Sequence, residues 1–391
     1  MEKTKPCPST KRLKQNPPSV DRLSRLPDAV LCQILSFLPT KLSVATSILA
    51  KRWRFLWTHV PTLDFDGENH NIINRVIMLH KVQGLTTFRL CYMDKCDDYE
   101  FETWITTAIA RNVQNLDIGL NYQFMLPRCL FTCKTLVNLT LFNCVGIPSS
   151  GAVSLPSLKK LHLYFVRYQV DEAIPHLLSG CPVLDELIIE GIVDKDLLQD
   201  GVSKHISAEM LTSLIEADIY FDYYKNDGES DDYFQSVVKF IDSLRNVKYL
   251  KLSSGMELEP GGDFGGPESI RRFDNLTKLE LAIDWLFLTR FLKSADNLEV
   301  LIISEVDGYL RYNWMKPKQV PTCLLSHLRM VRIDQFWCTK YEFKLVRYLL
   351  KNSKVLKRME IYSPNNEAKF DTLQKISLFQ RGSETCELAF Y

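Results

Sequence analysis

The sequence predicts an α/β protein in which a small all-helical module precedes a long solenoid of parallel strands and helices. Two observations lead to this prediction. From residue 85 onward, apolar residues recur at positions i, i+3 and i+5, with helical patterns between several of the copies. Before residue 60, apolar residues instead follow helical spacing. Strands and helices impose different hydrophobic periods, so this change of period indicates two architectures in one chain.

We expect residues 1–20 to form a disordered basic tail. Basic residues occur here, but no apolar stretch follows them as it would in a secretory signal. The cluster Lys11-Arg12-Leu13-Lys14 would also suit nuclear import, although a solvated tail is the favoured interpretation.

Composition excludes several classes of function. A formal net charge of +1 lacks the basic excess of a general nucleic-acid binder, and the longest apolar runs are too short for a membrane span. The 11 cysteines form no C-x-x-C pair, and the seven histidines show no metal-ligand spacing, so neither a metal site nor a cofactor is expected. Scattered, odd-numbered cysteines are typical of reduced proteins, which predicts the nucleus and/or cytoplasm as the localisation.

Residues 21–60 are predicted to form two or three short helices. Pro27 suits the first turn of a helix, Asp28 suits its positive end, and Pro39 stops it. The residues between them form a broad apolar face that comprises Val30, Leu31, Ile34, Leu35 and Leu38. A second helix fits residues 42–49, and a third fits the sequence KRWRFLW. A module of about 40 residues cannot bury all these side chains, so another part of the chain or another protein must cover some of them.

Eleven copies of the i, i+3, i+5 spacing organise the rest of the chain, with starts 22 to 33 residues apart. The copies are Leu85-Phe88-Leu90, Val113-Leu116-Ile118, Leu136-Leu139-Leu141, Leu158-Leu161-Leu163, Leu184-Leu187-Ile189, Leu214-Ala217-Ile219, Val247-Leu250-Leu252, Leu276-Leu279-Leu281, Leu298-Leu301-Ile303, Leu328-Val331-Ile333 and Leu356-Met359-Ile361. Helical patterns precede four of them, at residues 101–111, 236–245, 286–294 and 343–352. A short strand followed by a helix at this period is typical of leucine-rich repeats.

The predicted architecture is an irregular leucine-rich-repeat solenoid, with parallel strands on the concave side and helices and loops on the convex side. Its uneven intervals, and Ala217 in the sixth copy, predict an uneven horseshoe. Two segments rich in glycine or acidic residues, 222–232 and 259–269, are expected to be mobile insertions.

The N-terminal module resembles a plant F-box. The matching sequences are DRLSRLPD at residues 21–28, ILSFLPTK at residues 34–41 and TSILAKRWRFLW at residues 46–57. This resemblance implies that a Skp-family adaptor covers the apolar face and links the protein to a cullin–RING ubiquitin ligase. It implies adaptor contacts by Leu26, Pro27, Val30, Leu31, Ile34, Leu35, Leu42 and Trp53. Some of these side chains could instead face the module's own core, and the sequence leaves this open for Ile34, Leu35 and Trp53.

The remainder resembles plant F-box proteins that carry leucine-rich repeats and a C-terminal FBD segment. The sequence SGCPVLDEL at residues 179–187 is similar to their repeats, and VPTCLLSHLRMVRI at residues 320–333 and KLVRYLLKNSKVLKRMEI at residues 344–361 are similar to the FBD segment. QRGSETCELAFY at the C-terminal end is similar to it as well. The expected division is therefore a tail at 1–20, an F-box at 21–60, repeats at 61–319 and an FBD segment that ends the array at 320–391.

In such a solenoid, positions i+2, i+4 and i+6 of each copy face the concave side. The middle of this face is rich in acids and tyrosines, so a basic, extended segment of a protein target is one candidate ligand. The candidate target-binding residues are Lys160, His162, Tyr164, Glu186, Glu190, Glu216, Asp218 and Tyr220.

The function expected from this resemblance is substrate recognition in an SCF-type E3 ubiquitin ligase, with no catalytic residue in this chain. The alternatives are a small-molecule, hormone-like co-receptor of the same ligase class and a repeat scaffold uncoupled from the ligase. An enzyme is disfavoured because no G-x-S-x-G, G-x-x-x-x-G-K-[ST] or H-E-x-x-H motif is present.

Overall fold

A computed structural model describes residues 23–92, 97–120, 124–167, 173–191, 211–221, 239–254, 270–282, 285–304, 314, 316–364 and 369–391. The predicted tail at 1–20 and the two predicted insertions at 222–232 and 259–269 lie outside the described residues.

The N-terminal module is built from short helices separated by prolines. A 3-10 turn at Leu23–Arg25 leads into α1 (Asp28–Leu35) and α2 (Thr40–Ala45), which are followed by 3-10 segments at Thr46–Ile48 and Lys51–His59. Helix α1 ends three residues earlier than its apolar pattern suggests, because Pro39 disfavours a helical conformation at the residue before it. The helix predicted for 42–49 instead begins at Thr40 and becomes a 3-10 turn after Ala45.

Thirteen parallel strands, among the described residues, form one open sheet in sequence order. They are β1 (Thr62–Asp66), β2 (Thr87–Tyr92), β3 (Asn115–Leu120), β4 (Asn138–Phe142), β5 (Lys160–Tyr164), β6 (Glu186–Glu190), β7 (Glu216–Phe221), β8 (Tyr249–Ser254), β9 (Lys278–Ala282), β10 (Val300–Ile303), β11 (Met330–Ile333), β12 (Arg358–Ile361) and β13 (Glu387–Phe390). The i+3 and i+5 residues of every predicted copy lie on one of these strands, so the solenoid prediction is confirmed.

The strand register explains why the spacing recurs. The i+3 residues of neighbouring copies pair directly, as Leu139, Leu161 and Leu187 do, and so do the i+5 residues. Both rows are buried on one face of the sheet, and even Ala217 continues its row with 2% exposure. Each strand therefore covers the apolar side chains of the strand before it.

The sequence prediction missed the two outermost strands. In β1, Val60, Leu63 and Phe65 have the same spacing and pair in register with the next copy, although the predicted array begins at residue 85. In β13, Leu388 and Phe390 continue the rows, but Thr385 occupies the first apolar position. Both β13 side chains are only partly buried because no later strand covers them.

Helices pack on the buried face of the sheet. They are α3 (His70–Leu79), α4 (Asp98–Ala110), α5 (Ala173–Ser179), α6 (Trp285–Ser294), α7 (Thr322–Ser326), α8 (Lys340–Asn352) and α9 (Lys369–Ser377). Residues 239–243 are helical as well, so each helix predicted between copies is present within the described part of the chain. The opposite, concave face bears the side chains at i+2, i+4 and i+6, and no described helix covers it.

Candidate functional site

The N-terminal module has a small core of its own. Six buried residues form it, namely Leu31, Cys32, Leu35, Trp53, Leu56 and Val60, with Leu26 and Leu38 packed against them. A 3-10 helix repeats every three residues, so Trp53 and Leu56 align on the side that faces α1. Leu31 was expected at the partner-binding surface, but it is buried in this core and lies beneath that surface. Leu35 and Trp53, for which the sequence left the module's own core open as an alternative, are buried in this core as well.

A second set of apolar side chains lies on the outside of the module. Pro27, Val30, Ile34 and Leu42, which were predicted to contact a partner, are exposed. The sequence prediction omitted five further exposed side chains: Leu23, Phe37, Ile48, Leu49 and Phe55. Phe37 is 80% exposed and Ile48 is 88% exposed. The sequence indicates these residues only by the large number of apolar residues in the module. They lie outside the periodic helical face, so a search for helical spacing does not detect them.

Arg52 braces the start of α1 from the neighbouring 3-10 segment. Its Nε donates to Asp28 Oδ1 at 2.8 Å, and its Nη2 donates to the backbone oxygen of Leu26 at 2.5 Å. Both side chains of the ion pair are substantially solvent-exposed, so its contribution to stability is small, at roughly 0–1 kcal/mol. Through these two hydrogen bonds, Arg52 connects the start of α1 to the 3-10 segment Lys51–His59.

The module joins the solenoid without a linker. Thr40 Oγ1 accepts a hydrogen bond from the backbone N–H of Asp64 in β1 at 2.7 Å. The backbone N–H of Lys81 donates to the backbone carbonyl oxygen of Thr58 at 2.8 Å. Trp57 is buried in the core of the solenoid, whereas Val60 is buried in the core of the module. Residue 60 is thus both the end of the helical module and the first apolar position of the first repeat.

His80 is the buried polar group of this joint. Its Nε2 lies 2.8 Å from the Val60 oxygen, and its Nδ1 lies 3.1 Å from Arg111 Nη1. A carbonyl only accepts and a guanidinium only donates, so these partners require a neutral ring protonated at Nε2. Burial lowers the pKa of His80 to about 4, with the Val60 hydrogen bond opposing this and the charge of Arg111 adding to it.

The candidate target-binding residues lie together on the concave face of β5, β6 and β7. Glu186 is their centre: Lys160 Nζ approaches its Oε2 at 2.5 Å, and His162 Nε2 lies 2.7 Å from its Oε1. Partial burial of Glu186 alone would raise its pKa, but the hydrogen bonds from Lys160 and His162 outweigh it and lower the pKa overall. The acidic character expected of this position is therefore largely neutralised by its neighbours.

The remaining carboxylates of this face differ in their pairing. Asp218 accepts a hydrogen bond from Lys251 Nζ at 3.0 Å. Glu190 and Glu216 are exposed, and none of the described cations forms an ion pair with either. Tyr164 and Tyr220 are partly exposed beside them. The structure thus brings the eight predicted residues to one face, and two of their four acids have no ion pair with a described cation.

Comparisons with known proteins agree with this geometry. The F-box domain model matches residues 23–64, and the FBD model matches residues 316–361. A model of the repeats of FBD-associated F-box protein At5g56370 matches residues 101–214. F-box/FBD/LRR-repeat protein At4g00160 of Arabidopsis thaliana is 30% identical, and the match covers 95% of this chain and 94% of that protein. The chain belongs to the F-box/FBD/leucine-rich-repeat family.

Two further relatives from the same plant extend over nearly the whole chain. F-box/FBD/LRR-repeat protein At2g26030 is 33% identical over 94% of this chain and 98% of its own length. Putative FBD-associated F-box protein At5g56440 is 30% identical over 95% of this chain and all of its own length. The F-box match ends at residue 64, inside β1, so it extends past the helical module into the first repeat.

The described residues contain neither a metal-binding cluster nor a membrane-spanning helix. No group of three or more His, Cys, Asp or Glu side chains is arranged to hold a metal ion within those residues. None of the helices in the described part of the chain has the length and apolar character that a membrane crossing requires.

Proposed function

We propose that this protein is the substrate-recognition subunit of an SCF-type cullin–RING E3 ubiquitin ligase. Its F-box docks on a Skp-family adaptor, and the concave face of its repeats binds a protein target for ubiquitination. The observation that supports this best is the exposed apolar surface of a module whose own core is already complete. The proposal locates the protein in the nucleus, the cytoplasm or both.

The apolar surface is concentrated in the F-box. Eight of the 22 large hydrophobic side chains that are exposed among the described residues lie between residues 23 and 55. Contiguous exposed apolar patches on soluble proteins usually mark an interaction site. Burying one such side chain contributes roughly 1.5–3 kcal/mol, so a partner that covers several of them gains a strong driving force for binding.

The joint between the F-box and the repeats supports a positioning role. Trp57 is buried in the core of the repeats, Val60 is buried in the core of the F-box, and the His80 side chain bonds across the joint to the Val60 backbone oxygen, so the described residues of the joint connect the F-box directly to the first repeat. An adaptor bound at one end would therefore hold the target at a defined place relative to the other ligase subunits. In this proposal the chain supplies proximity rather than covalent chemistry, by raising the effective concentration of the target.

Paired charge substitutions test the adaptor contact. We expect Ile34→Asp combined with Leu42→Asp to weaken binding of a purified Skp-family adaptor at least ~100-fold, because both carboxylates would be desolvated in an apolar interface. The matched control is Ile72→Asp combined with Met78→Asp, which places two carboxylates on exposed apolar positions of α3 in the first repeat. The control should bind within ~3-fold of the unchanged chain.

The measurement is calorimetric titration of the full chain, with circular dichroism to verify that each variant is folded. Equal loss in both variants would contradict docking through the F-box surface. A folded, unchanged chain that binds no Skp-family adaptor would contradict the ligase assignment and favour the uncoupled scaffold.

A further inference from the structure

We propose that an arginine side chain in an extended basic segment of the target docks on an aromatic–acidic patch formed by Phe142, Tyr164, Phe165 and Glu190. This inference rests on the proposed function, in which the concave face captures a protein target. It adds a specific anchor and the chemistry that the anchor recognises.

Strand register assembles the patch. Phe142, Tyr164 and Glu190 occupy the same i+6 position of β4, β5 and β6, so they are direct neighbours across the sheet. The rings of Phe142 and Tyr164 have centroids 6.5 Å apart, and Phe142 is 38% exposed. The exposed Glu190 carboxylate thus lies one strand away from the Tyr164 ring and two strands away from the Phe142 ring, on a sheet face that no described helix covers.

Phe165 follows β5 and holds the patch in shape. Its backbone has a φ of +52°, a left-handed conformation that an aromatic residue rarely adopts. The Phe165 N–H donates to the backbone carbonyl oxygen of Glu190 at 2.7 Å, which fixes this turn to the next strand. Its ring meets Phe142 edge-to-face at 5.7 Å.

Gly191 makes room for the Phe165 ring. A Cβ atom at residue 191 would lie 2.3 Å from Phe165 Cδ1, and Gly191 itself has a φ of +70°. A glycine here is therefore required both by the backbone conformation and by the ring that packs over it. The positive φ angles of Phe165 and Gly191 together place the Phe165 ring beside Phe142.

The electrostatic field over the patch is negative. Glu186 and Asp218 are paired with neighbouring cations, but Glu190 is exposed without a described cationic partner. Burial, and then the charges of Glu190, Asp218 and Glu186, raise the pKa of Tyr164. The direction of the effect of these three carboxylates is that of a negative field. Glu216, four positions back along the neighbouring strand, lies about 14 Å from Glu190 by strand geometry and offers a second anionic contact.

Arginine fits this combination better than lysine does. Its planar guanidinium stacks on aromatic faces and donates to a carboxylate in a forked geometry, whereas the lysine ammonium is a strongly hydrated point charge. Two basic residues four positions apart in an extended segment would span the separation of Glu190 and Glu216, since each residue advances about 3.3 Å.

The test uses fluorescein-labelled Gly/Ser decapeptides and the purified full chain. One peptide carries arginine at positions 3 and 7, a second carries lysine there, and a third carries glutamate. Fluorescence anisotropy should show the arginine peptide binding at least ~5-fold more tightly than the lysine peptide, with no binding of the glutamate peptide.

Four variants assign the binding to the patch. Tyr164→Leu and Glu190→Gln should each weaken binding of the arginine peptide by ~10-fold, whereas Tyr164→Phe, which keeps the ring, should change it less than ~2-fold. Glu387→Gln is the matched control, because this glutamate is exposed on the same face at the far strand β13 and should leave binding unchanged.

Three outcomes would overturn the proposal. They are equal affinity for the arginine and lysine peptides, equal loss in Glu387→Gln and Glu190→Gln, and no detectable binding of the arginine peptide by a folded chain. The adaptor titration is a separate measurement on a separate surface. Failure of the peptide assay with intact adaptor binding would therefore reject the patch alone, whereas loss of adaptor binding would reject the ligase assignment.

Discussion

The F-box and the repeats differ in how completely they bury their apolar side chains. In the repeats, Leu161 and Leu163 of one strand are covered by their counterparts on the next, and this continues across the sheet. In the F-box, the core contains only six buried residues, and Phe37 and Ile48 lie outside it and are largely exposed. The repeats thus cover their apolar side chains within the chain, whereas the F-box leaves several of its own exposed.

Three helices of the repeats also start differently from the helices of the F-box. Asn69, Asp97 and Thr339 accept side-chain N-cap hydrogen bonds at the starts of α3, α4 and α8. Helices α1 and α2 of the F-box begin after Pro27 and Pro39, with no side-chain cap. Side-chain hydrogen bonds thus cap these three repeat helices, whereas α7 of the repeats begins after Pro321 without a side-chain cap, as the two F-box helices begin after theirs.

Two leucine substitutions test the contrast in burial, and here we expect the largest effect. Leu161→Ala should lower the free energy of unfolding by ~2–5 kcal/mol, because it leaves a cavity in a continuous core. Leu49→Ala in the exposed part of the F-box should change it by less than ~0.5 kcal/mol. Urea unfolding followed by circular dichroism measures both, and similar losses would contradict the comparison.

The joint between the regions should make stability depend on pH. The pKa of His80 is about 4 in the folded state and 6.5 ordinarily, so between these values the unfolded chain binds more protons. The stability that His80 contributes is complete above pH 6.5 and is lost as the pH falls toward 4. At about 1.36 kcal/mol per pKa unit, the loss amounts to ~3 kcal/mol.

His80→Gln should flatten this pH dependence, because a glutamine amide can donate to the Val60 oxygen and accept from Arg111 without titrating. The measurement is the melting temperature of the His80→Gln variant and of the unchanged protein, recorded from pH 7 to pH 4. Parallel curves would show that His80 is not the titrating group.

Loss of a helix cap should have a smaller effect. The Thr339 hydroxyl accepts from the Glu342 N–H at 3.2 Å, and the buried Glu342 carboxylate accepts from the Thr339 and Trp337 N–H groups. Thr339→Ala should cost ~1 kcal/mol. Thr103→Ala inside α4, where the hydroxyl only bonds to the Tyr99 oxygen, should cost nothing measurable or stabilise slightly. Thermal unfolding of the two variants gives the comparison, and equal effects would reject the role of the capping box.

The exposed ion pair of the F-box should matter least. Arg52→Ala removes the ion pair with Asp28 and the exposed hydrogen bond to the Leu26 backbone oxygen, and it should cost no more than ~1 kcal/mol at low salt because the paired side chains are well solvated. The difference between Arg52→Ala and the unchanged chain should shrink further in 1 M salt, where screening acts over about 3 Å. A loss that is larger and independent of salt, measured by urea unfolding, would show instead that Arg52 organises the core of the module.

The sequence by itself determined the repeat array, because a strand alternates its side chains and a parallel stack must bury the same two positions of every copy. It determined the F-box and FBD segments through residues that match family patterns. Tertiary structure alone decided that Leu31, Leu35 and Trp53 lie in a core while Ile34 and Phe37 remain outside, because which of several apolar faces is covered depends on the neighbouring segments. It also decided which acids of the concave face stay unpaired, because the partners of Glu186 and Asp218 come from adjacent strands that lie 24 to 33 residues away in the sequence.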